Sequence, residues 1–340
     1  LSLNEWDIQV FLNRRKPGQS RYSTPRKEDD TVEILSGVFE GKTTGTPISL
    51  LVRNTSQRSR DYSEIASYYR PGHADYTFDE KYGFRDYRGG GRSSGRETIG
   101  RVAAGAIASK LLSELGITLT AYTLSIGPVT IQSFDYEELY KNPLYMPDAK
   151  ASAQASEYLN QCMKEQNSSG GIIECVVTGM PAGLGDPVFE KLDANLAKAM
   201  FSIGSVKGFE IGSGFHCAAS TGLHNNDAFF INEHGMVSKK TNHAGGILGG
   251  ISDGADLIFR TAIKPTPSIG AMQKTINQSG EEIEISIKGR HDPIIVPRAV
   301  VVVESMAALV LADACLLNMS ARMDHLHKIY DSKSRKPSVL

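Results

Sequence analysis

Two long apolar segments restrict the fold of this chain more than any other feature of its sequence. Residues 297–319 and 101–115 carry apolar side chains nearly all the way round a helix, and the second segment is rich in alanine. A helix that is apolar on all sides has to be buried, either in the core of a large protein or in a membrane. Arg298, Glu304 and Asp313 interrupt the longer apolar region, which disfavours a membrane span. The sequence therefore predicts two buried core helices with close neighbours.

Periodicity and turn residues predict the remaining elements. Alternating patterns indicate β-strands at residues 31–38, 48–52, 118–126, 171–178 and 209–219. Helical spacing indicates helices at residues 2–12, 151–166 and 192–201, the first of them capped by Ser2 or Asn4. Each of the two core helices follows a charged, glycine-containing motif. This arrangement favours an internal pseudo-repeat, although no residue-level identity supports one.

Composition narrows the classes of function. The formal net charge of the 340 residues is -1, so a basic site has to be a local concentration, and a general affinity for nucleic acid is disfavoured. The four cysteines are far apart and show no CxxC spacing, which is typical of free thiols in a reducing compartment. His216 and His224 lack partners at metal-ligand spacing, so no metal site is expected. No signal peptide is recognisable, but the chain begins at Leu1 without an initiator methionine, which leaves a preceding segment open.

The stretch from Arg70 to Thr98 has the composition of an anion-binding site. It contains one histidine, five arginines, a triple glycine and a Ser-Ser pair, and an alanine-rich helix follows it. Ser94 and Glu97 fit the capping box, in which a serine and a glutamate three residues later satisfy free amides at a helix start. We therefore expect a helix to begin near Ser94, with its N-terminal amides facing a phosphate or carboxylate. His73, in a Pro-Gly-His turn upstream, is the candidate proton carrier.

Each of these features also has a simpler interpretation. A triple glycine before an arginine is as often a flexible turn as a ligand site, and most single histidines are structural. The basic segment from Arg14 to Lys27 is either a solvated surface loop or a cluster around an anion. A second glycine-rich stretch at residues 241–250 either leaves room for a large flat ligand or forms a buried tight turn. The Lys-Pro-Thr-Pro-Ser loop at residues 264–268 suits a phosphate or carbonyl contact.

Several independent motifs occur together in one order along the chain. They are LNRRKPGQSRYST at residues 12–24, RPGHAD at 70–75, RGGGRSSGRET at 88–98, KTNHAGGILGG at 240–250 and GRHDP at 289–293. With these motifs the chain closely resembles the chorismate synthase family over nearly its whole length. The resemblance implies an α+β fold, with helical core layers packed between two antiparallel β-sheets in a single large domain of internal pseudo-twofold character. That domain would cover residues 1–328, followed by a polar tail at residues 329–340, in a cytoplasmic homotetramer.

The resemblance also implies a reaction. Members of the family convert 5-enolpyruvylshikimate 3-phosphate to chorismate and phosphate by an anti-1,4-elimination that uses reduced FMN without net redox change. Loss of phosphate requires neutralisation of the leaving group, and the forked donors of arginine supply it. Removal of the distant C–H proton requires an acceptor, which the reduced flavin provides. Whether this chain also reduces its flavin with NADPH, as some members do, stays open.

Motif by motif, the resemblance assigns roles to residues of this chain. His73 matches the family histidine to which protonation of the reduced flavin is assigned, and Asp292 matches the aspartate that assists proton removal. The arginines that match positions gripping the phosphate and carboxylates of the substrate are Arg15, Arg21, Arg70, Arg96 and Arg290. The positions that match flavin contacts are Arg92, Ser93, Ser94, Gly204, Ser205, Gly249, Lys264, Pro265, Thr266, Pro267, Ser268 and Arg290.

Two departures from the family pattern modify these expectations. Family members often carry Asn-Ala where this chain has Gly204-Ser205, so we expect that flavin contact to come from the backbone. The N-terminal Gly-Glu-Ser-His-Gly motif of the family, whose histidine protonates the leaving phosphate, is absent from the 340 residues. General acid catalysis contributes about 10²–10⁴-fold, and a missing strand leaves a sheet edge unpaired. The 340 residues by themselves are therefore expected to be severely impaired.

The leading hypothesis is a family member that binds a small phosphorylated substrate and reduced FMN, with no nucleic-acid or membrane partner. The alternative is a non-catalytic flavin- or phosphate-binding homologue, which the absent histidine motif favours. An RNA-binding protein that uses the Arg14–Lys27 segment is disfavoured by the near-neutral charge and by the lack of an RNP-like aromatic motif.

Overall fold

The computed structural model describes residues 1–24, 28–54, 64–87, 91–287 and 292–331. Its helices are α1 (Glu5–Arg15), α2 (Asp75–Tyr82), α3 (Thr98–Glu114), α4 (Ala149–Lys164), α5 (Leu192–Phe201), α6 (Gly222–Asn225), α7 (Val296–Asn318) and α8 (Met323–Tyr330). Its strands are β1 (Val32–Ser36), β2 (Val38–Phe39), β3 (Lys42–Thr43), β4 (Ser49–Val52), β5 (Thr118–Ile126), β6 (Val129–Thr130), β7 (Gly171–Thr178), β8 (Val206–Ile211), β9 (Phe229–Ile231), β10 (Val237–Lys239), β11 (Ile247–Leu248), β12 (Ile251–Ser252), β13 (Leu257–Ile263), β14 (Gln273–Ile276) and β15 (Glu282–Ile285). The mixed α+β class predicted from the sequence is confirmed.

A five-stranded antiparallel sheet in the order β6-β5-β7-β13-β8 forms one layer of the core. Its central strand β7 pairs on both sides, with Leu119 of β5 and Leu257 of β13 both opposite Val177. Side chains alternate between the two faces of a sheet along each strand. Ile173 and Phe259 lie on the same face of neighbouring strands and are fully buried. This face packs against the helices.

The longer apolar segment forms α7, which packs against β5, β7, α3 and α5. Pro297 lies in its first turn, where the missing N–H is not needed by the helix. Glu304, buried near the middle of α7, accepts hydrogen bonds from both terminal nitrogens of Arg14 in α1, at 2.7 and 2.9 Å. Among the described residues, α7 is the one helix long and apolar enough to cross a membrane, and more than half of it is buried in the protein. The predicted buried core helix is confirmed.

The close approach of α3 to α7 depends on one glycine. A Cβ atom at Gly105 would lie 2.2 Å from the Cβ atom and 2.6 Å from the Cα atom of Ser305 in α7. Small side chains at Ala103, Ala106 and Ala108 are buried on the same helix. The alanine-rich composition that predicted close neighbours for this helix therefore corresponds to a tight helix crossing.

The helices α1 and α3 pack against each other and also contact the antiparallel pair of β1 and β4. The side chain of Asn4 accepts from the amides of Trp6 and Asp7, and the carboxylate of Asp7 accepts from the amide of Asn4. This reciprocal capping box confirms Asn4 as the cap of α1.

The layering of helices between two sheets and the pseudo-twofold relation stay predictions.

Two sequence predictions differ from the structure in where an element ends. The strand expected at residues 209–219 begins at Val206 and ends at Ile211, and a 3-10 helix follows it. Gly212 and Gly214 cause this change, because their positive φ angles of 55° and 52° turn the chain out of the sheet. The expected boundary between residues 328 and 329 falls inside α8, which continues to Tyr330. Most of the expected tail, residues 332–340, lies outside the described residues.

Candidate active site

The turn at residues 70–73 is fixed by a carboxylate two residues downstream. Gly72 has a positive φ of 69°, and the amide of His73 donates to the carbonyl of Arg70 at 3.2 Å. Asp75, the first residue of α2, accepts from Nε and from Nη2 of Arg70, each at 2.7 Å. Its Oδ1 also lies 2.9 Å from Nδ1 of His73. The predicted substrate arginine and the predicted proton carrier therefore share one buried aspartate.

The carboxylate of Asp75 is ionised and faces Nδ1 of His73. Burial by itself would raise the pKa of Asp75, but hydrogen bonds from Arg70 and His73 and their positive charges hold that pKa far below its usual value. An ionised carboxylate only accepts hydrogen bonds. Nδ1 of His73 lies 2.9 Å from this carboxylate and 3.0 Å from Nη2 of Arg70, so it donates to Asp75 in one tautomer and accepts from Arg70 in the other.

The predicted flavin loop at residues 264–268 packs against the same turn. Nζ of Lys264 donates to the carbonyl of Gly72, and a Cβ atom at Gly72 would lie 3.4 Å from the ring of Pro267. The amide of Lys264 donates to the carbonyl of Ser205 at 2.9 Å. Two of the predicted flavin segments and the histidine turn are therefore neighbours.

Unsatisfied groups in this region suit an anionic ligand. Oγ1 of Thr266 is buried and has no hydrogen-bond partner within the described ranges. Burial and the charge of Lys207 lower the pKa of Lys264, because two neighbouring ammonium groups repel each other. An anion between them would relieve that repulsion. A Cβ atom at Gly204 would meet nothing within 4 Å, so the backbone there can be approached closely.

Arg15, a predicted substrate residue, is buried and committed to protein partners. Its Nη1 pairs with Asp30 at 2.6 Å, and its Nε donates to the hydroxyl of Thr98 at 3.0 Å. Its Nη2 donates to the carbonyl of Gly95 at 3.3 Å, and only 3% of the residue is exposed. In this structure Arg15 supports the site from inside the protein.

Two further arginines lie close enough to Arg15 to affect its charge. Burial, then the positive charges of Arg298 and Arg96, lower the pKa of Arg15 to about 10, so it stays protonated at neutral pH. Burial disfavours the charged form of Asp30 as well, and this raises the pKa of that carboxyl group. Arg96, also a predicted substrate residue, pairs with Glu28 and lies 3.6 Å from Asp30. A phosphate or carboxylate ligand would therefore compete with these carboxylates for Arg96.

Asp292, predicted to assist proton removal, is held through both carboxylate oxygens. Oδ1 accepts from the amide of Thr24 at 2.6 Å, and Oδ2 accepts from Nη1 of Arg298 at 2.9 Å. Nε of Arg298 donates in turn to the carbonyl of Arg15 at 3.1 Å. Sequence reasoning missed Arg298 and Thr24. Thr24 lies 268 residues from Asp292 in the chain, and no local signal announces that pairing.

Two consecutive serines connect this cluster to the flavin loop. The amide of Ser169 donates to the carbonyl of Pro293 at 2.9 Å. Oγ of Ser168 donates to the carbonyl of Thr266 at 2.7 Å. Since Pro293 directly follows Asp292, the structure brings Asp292 and the 264–268 loop to the same short segment.

The capping box predicted at the start of α3 does not form. Oγ of Ser94 accepts from the amide of Arg96 at 3.3 Å, but the carboxylate of Glu97 pairs with Arg101 at 2.9 Å. Residues 95–97 form a 3-10 turn, and α3 begins only after it. The reason is that an ion pair one helical turn away is a stronger partner for the glutamate than a neutral amide.

Arg101 also ties two predicted flavin segments together. Its Nη1 and Nη2 donate to the hydroxyl and to the carbonyl of Ser202, at 2.5 and 3.1 Å. Ser202 follows α5 and lies two residues before Gly204, while Arg101 lies in the first turns of α3, just after Ser93 and Ser94. No sequence signal pointed to this contact, because Ser202 lies 101 residues from Arg101 in the chain.

Gly249 and the predicted flavin residue Lys264 lie toward opposite ends of β13. Gly249 occupies the turn between β11 and β12 with a φ of 62°, and the adjoining Gly246 approaches Leu257 at the start of β13. Lys264 follows the other end of β13. Because each strand residue advances about 3.3 Å, the seven residues of β13 separate the two ends by roughly 20 Å.

Two predicted substrate arginines remain. Arg21 is exposed, and its Nη2 donates to the hydroxyl of Tyr22 at 2.5 Å. Arg290 lies outside the described residues, as do Gly89 and Gly90 of the triple glycine.

In the part of the chain that the structure describes, no three histidine, cysteine, aspartate or glutamate side chains come together as a metal site.

Comparison with known proteins gives one family from sequence and from structure. A family model described as chorismate synthase matches residues 1–316. The chorismate synthase of Agathobacter rectalis is 73% identical over 332 residues, which cover 97% of this chain and 90% of that protein. The chorismate synthase of Lachnoclostridium phytofermentans is 68% identical over 335 residues, with the same two coverages. A crystal structure of a chorismate synthase superposes with a TM-score of 0.74 at 31% identity, covering 98% of this chain and 90% of that chain.

Proposed function

We infer that this chain is a lyase that eliminates phosphate from 5-enolpyruvylshikimate 3-phosphate to give chorismate, with reduced FMN as its cofactor. The chain belongs to the chorismate synthase family. The name of the family assigns the enzyme to the shikimate pathway of aromatic amino acid biosynthesis. The observation that supports the assignment of residues is the contact between the 264–268 loop and the turn that carries His73.

Reduced FMN fits the residues around that loop. Lys264, whose pKa is lowered by burial and by Lys207, would gain from an anionic cofactor. The unpartnered hydroxyl of Thr266 offers a hydrogen bond to a ligand, and the exposed Arg92 offers a second positive charge. When bound, reduced FMN supplies electron density to the departing phosphate and an acceptor for the proton lost from carbon.

His73 and Asp292 manage protons in this proposal. Asp75 holds Nδ1 of His73, so Nε2 is the atom at which the imidazole gives up or takes a proton. Asp292 has its carboxylate oriented by Arg298 and by the amide of Thr24, which suits a group that assists proton removal. The two side chains approach the same region from separate segments of the chain.

The substrate is bound by arginines that still have donors to offer. Nη1 of Arg70 has no described partner, and Arg96 would exchange Glu28 for a ligand oxygen. The family pattern adds Arg21 and Arg290 as substrate-binding arginines. Arg15 keeps the positive cluster together from the interior, through Asp30 and the Gly95 carbonyl.

The proposal extends to a homotetramer in the cytoplasm, with helical layers between two sheets in each subunit. Large apolar side chains that are almost fully exposed support association of subunits, among them Phe189 and Leu223, each 89% exposed. Gly249, which lies at the far end of β13 from Lys264, would contact a flavin held by a neighbouring subunit.

Anaerobic turnover tests the proposal directly. The full-length protein is mixed with photoreduced FMN and 5-enolpyruvylshikimate 3-phosphate, and phosphate and chorismate are measured together with FMN binding. We expect equal amounts of phosphate and chorismate, formed only with the reduced flavin. Flavin binding without phosphate release would favour a non-catalytic homologue, and the absence of both would refute the assignment.

Substitution of His73 tests the proton assignment. His73→Ala should lower kcat by about 10²-fold or more, while the affinity for FMN stays within about tenfold, because the side chain acts on protons and contributes little binding. His234, whose side chain is 71% exposed on the hairpin of β9 and β10, gives the matched control His234→Ala with unchanged kcat. Unchanged turnover in His73→Ala would remove His73 from the mechanism.

A further inference from the structure

We propose that Asp75 is a positioning residue that aims the substrate-binding Arg70 and sets the tautomer of the proton-carrying His73 at the same time. This inference rests on the proposed function of the site and goes beyond it, since Asp75 itself touches neither substrate nor cofactor. Its side chain is only 5% exposed, against 11% for Arg70 and 17% for His73, so the aspartate lies behind the two groups that it holds.

Both carboxylate oxygens of Asp75 are committed. Oδ2 accepts from Nε of Arg70 at 2.7 Å and from its amide at 3.1 Å. Oδ1 accepts from Nη2 of Arg70 at 2.7 Å and from Nδ1 of His73 at 2.9 Å. This forked pairing fixes the plane of the guanidinium group. Nη1, the remaining nitrogen of the fork, is not bonded to Asp75 and keeps its donors for a ligand.

The same carboxylate neutralises the positive charges gathered at this turn. Nη2 of Arg70 lies 3.0 Å from Nδ1 of His73, so a protonated imidazole stands directly against a guanidinium group. From the neighbouring loop, Lys264 reaches the carbonyl of Gly72, with Lys207 behind it. Among these described groups, Asp75 is the negative charge in contact with the histidine. The proton on the imidazole and the aim of the arginine therefore depend on one side chain.

An isosteric amide would disturb both functions. In Asp75→Asn the amide nitrogen must face a donor of Arg70, because each oxygen of the native carboxylate accepts from that arginine. Placed on the Oδ2 side, it would oppose both Nε and the amide of Arg70. Placed on the Oδ1 side, it opposes Nη2 and can donate to Nδ1 of His73. The second arrangement forces the histidine proton onto Nε2, the atom that has to exchange it.

The test combines nitrogen NMR of histidine-labelled protein with kinetics. In the wild-type protein at neutral pH we expect His73 to carry its proton on Nδ1. In Asp75→Asn we expect the proton on Nε2, a fall in kcat of about 10²-fold or more, and a higher KM for the substrate, with FMN affinity within about threefold. A merely structural role for Asp75 would not move the tautomer.

Asp79→Asn is the matched control. Asp79 lies one turn further along α2 and forms an aspartate–arginine pair of the same 2.7 Å length with Arg85, away from His73. It should lose comparable stability in thermal unfolding and keep both the wild-type tautomer and kcat. A wild-type His73 with its proton on Nε2 would overturn the proposal whatever the variants do. So would an Asp75→Asn protein with wild-type tautomer and kcat, or an Asp79→Asn protein with the same loss.

The NMR measurement separates this inference from the proposed function. If the wild-type protein makes no chorismate but Asp75→Asn changes the tautomer, the positioning role stands and the assigned reaction fails. If the wild-type protein is active and the tautomer does not respond to the substitution, the reaction stands and the positioning role fails.

Discussion

Replacing Gly105 with alanine should push α3 and α7 apart at the centre of the core. The new Cβ atom would lie 2.2 Å from Cβ, 2.6 Å from Cα and 2.8 Å from the carbonyl oxygen of Ser305, where ordinary contacts begin at 3.4 Å. The helices would have to separate by about 1 Å, since two of these atoms are backbone and cannot rotate away. Overpacking of this kind destabilises the folded state by about 1–3 kcal/mol. The higher helix propensity of alanine stabilises it by about 1 kcal/mol relative to glycine. The net effect expected is a loss of about 0–2 kcal/mol.

Gly100 provides the matched control within the same helix. A Cβ atom there meets nothing within 4 Å, so Gly100→Ala should gain up to about 1 kcal/mol from helix propensity alone. Thermal unfolding followed by circular dichroism, at equal protein concentration, should therefore give a lower Tm for Gly105→Ala than for Gly100→Ala, by several degrees. Adding Ser305→Gly removes the nearest of the three atoms only, so it should restore the Tm in part. If Gly105→Ala unfolds at or above the Tm of Gly100→Ala, the tight crossing is not as described.

Two further predictions concern single side chains. Arg101→Met keeps the length of the side chain but removes the bonds to Ser202, so the Kd for FMN in a fluorescence titration should rise about tenfold. As a control, Arg322→Met removes an exposed ion pair with Asp324 and should leave that Kd unchanged. Asp148 caps α4 and accepts four amides, and hydrogen bonds from the amides of Ala151, Gln132 and Ser133 lower its pKa from 3.8 to about 2. Because that pKa is lower in the folded state, Asp148 stabilises the protein above pH 4, and its contribution is lost as the pH falls toward about 2. Asp148→Asn should cost about 1–3 kcal/mol in urea unfolding at pH 7, and a cost that does not shrink on going from pH 5 to pH 3 would contradict this account.

Local sequence signals predicted the five longest described helices and the strands β1, β4, β5 and β7, but the core strand β13 was not predicted. The apolar segments at α3 and α7, the strands β5 and β7, and the cap at Asn4 follow from residue spacing and from side-chain chemistry within a few positions. The failures were also local in origin. Ser94 and Glu97 fit a capping box, but the glutamate found a better partner in Arg101. The strand expected at residues 209–219 ended early at two glycines with positive φ.

The sequence predicted the main residues of the site but not which of them contact each other. The motifs that resemble the chorismate synthase family contain His73, Asp292 and the arginines, but they do not say which carboxylate belongs to which arginine. Asp75 stood inside one of the quoted motifs without an assigned role. In the sequence, Arg298 was noted only as a charged residue that interrupts the longer apolar region. Thr24, which holds Asp292 through its amide, carries no side-chain signal at all.

The two core helices could be predicted from residue spacing, because helix preferences act over a few residues. The family, and the α+β fold that the resemblance implies, could be predicted because the motifs are contiguous in the chain. The packing of distant segments was needed to show that Arg15 is buried against Asp30, that Asp75 contacts both Arg70 and His73, and that Gly249 and Lys264 lie toward opposite ends of β13. The physical reason is that the partner of a charged side chain is whichever opposite charge the packed elements bring within about 3 Å. That distance is set by helices and strands meeting from distant parts of the chain.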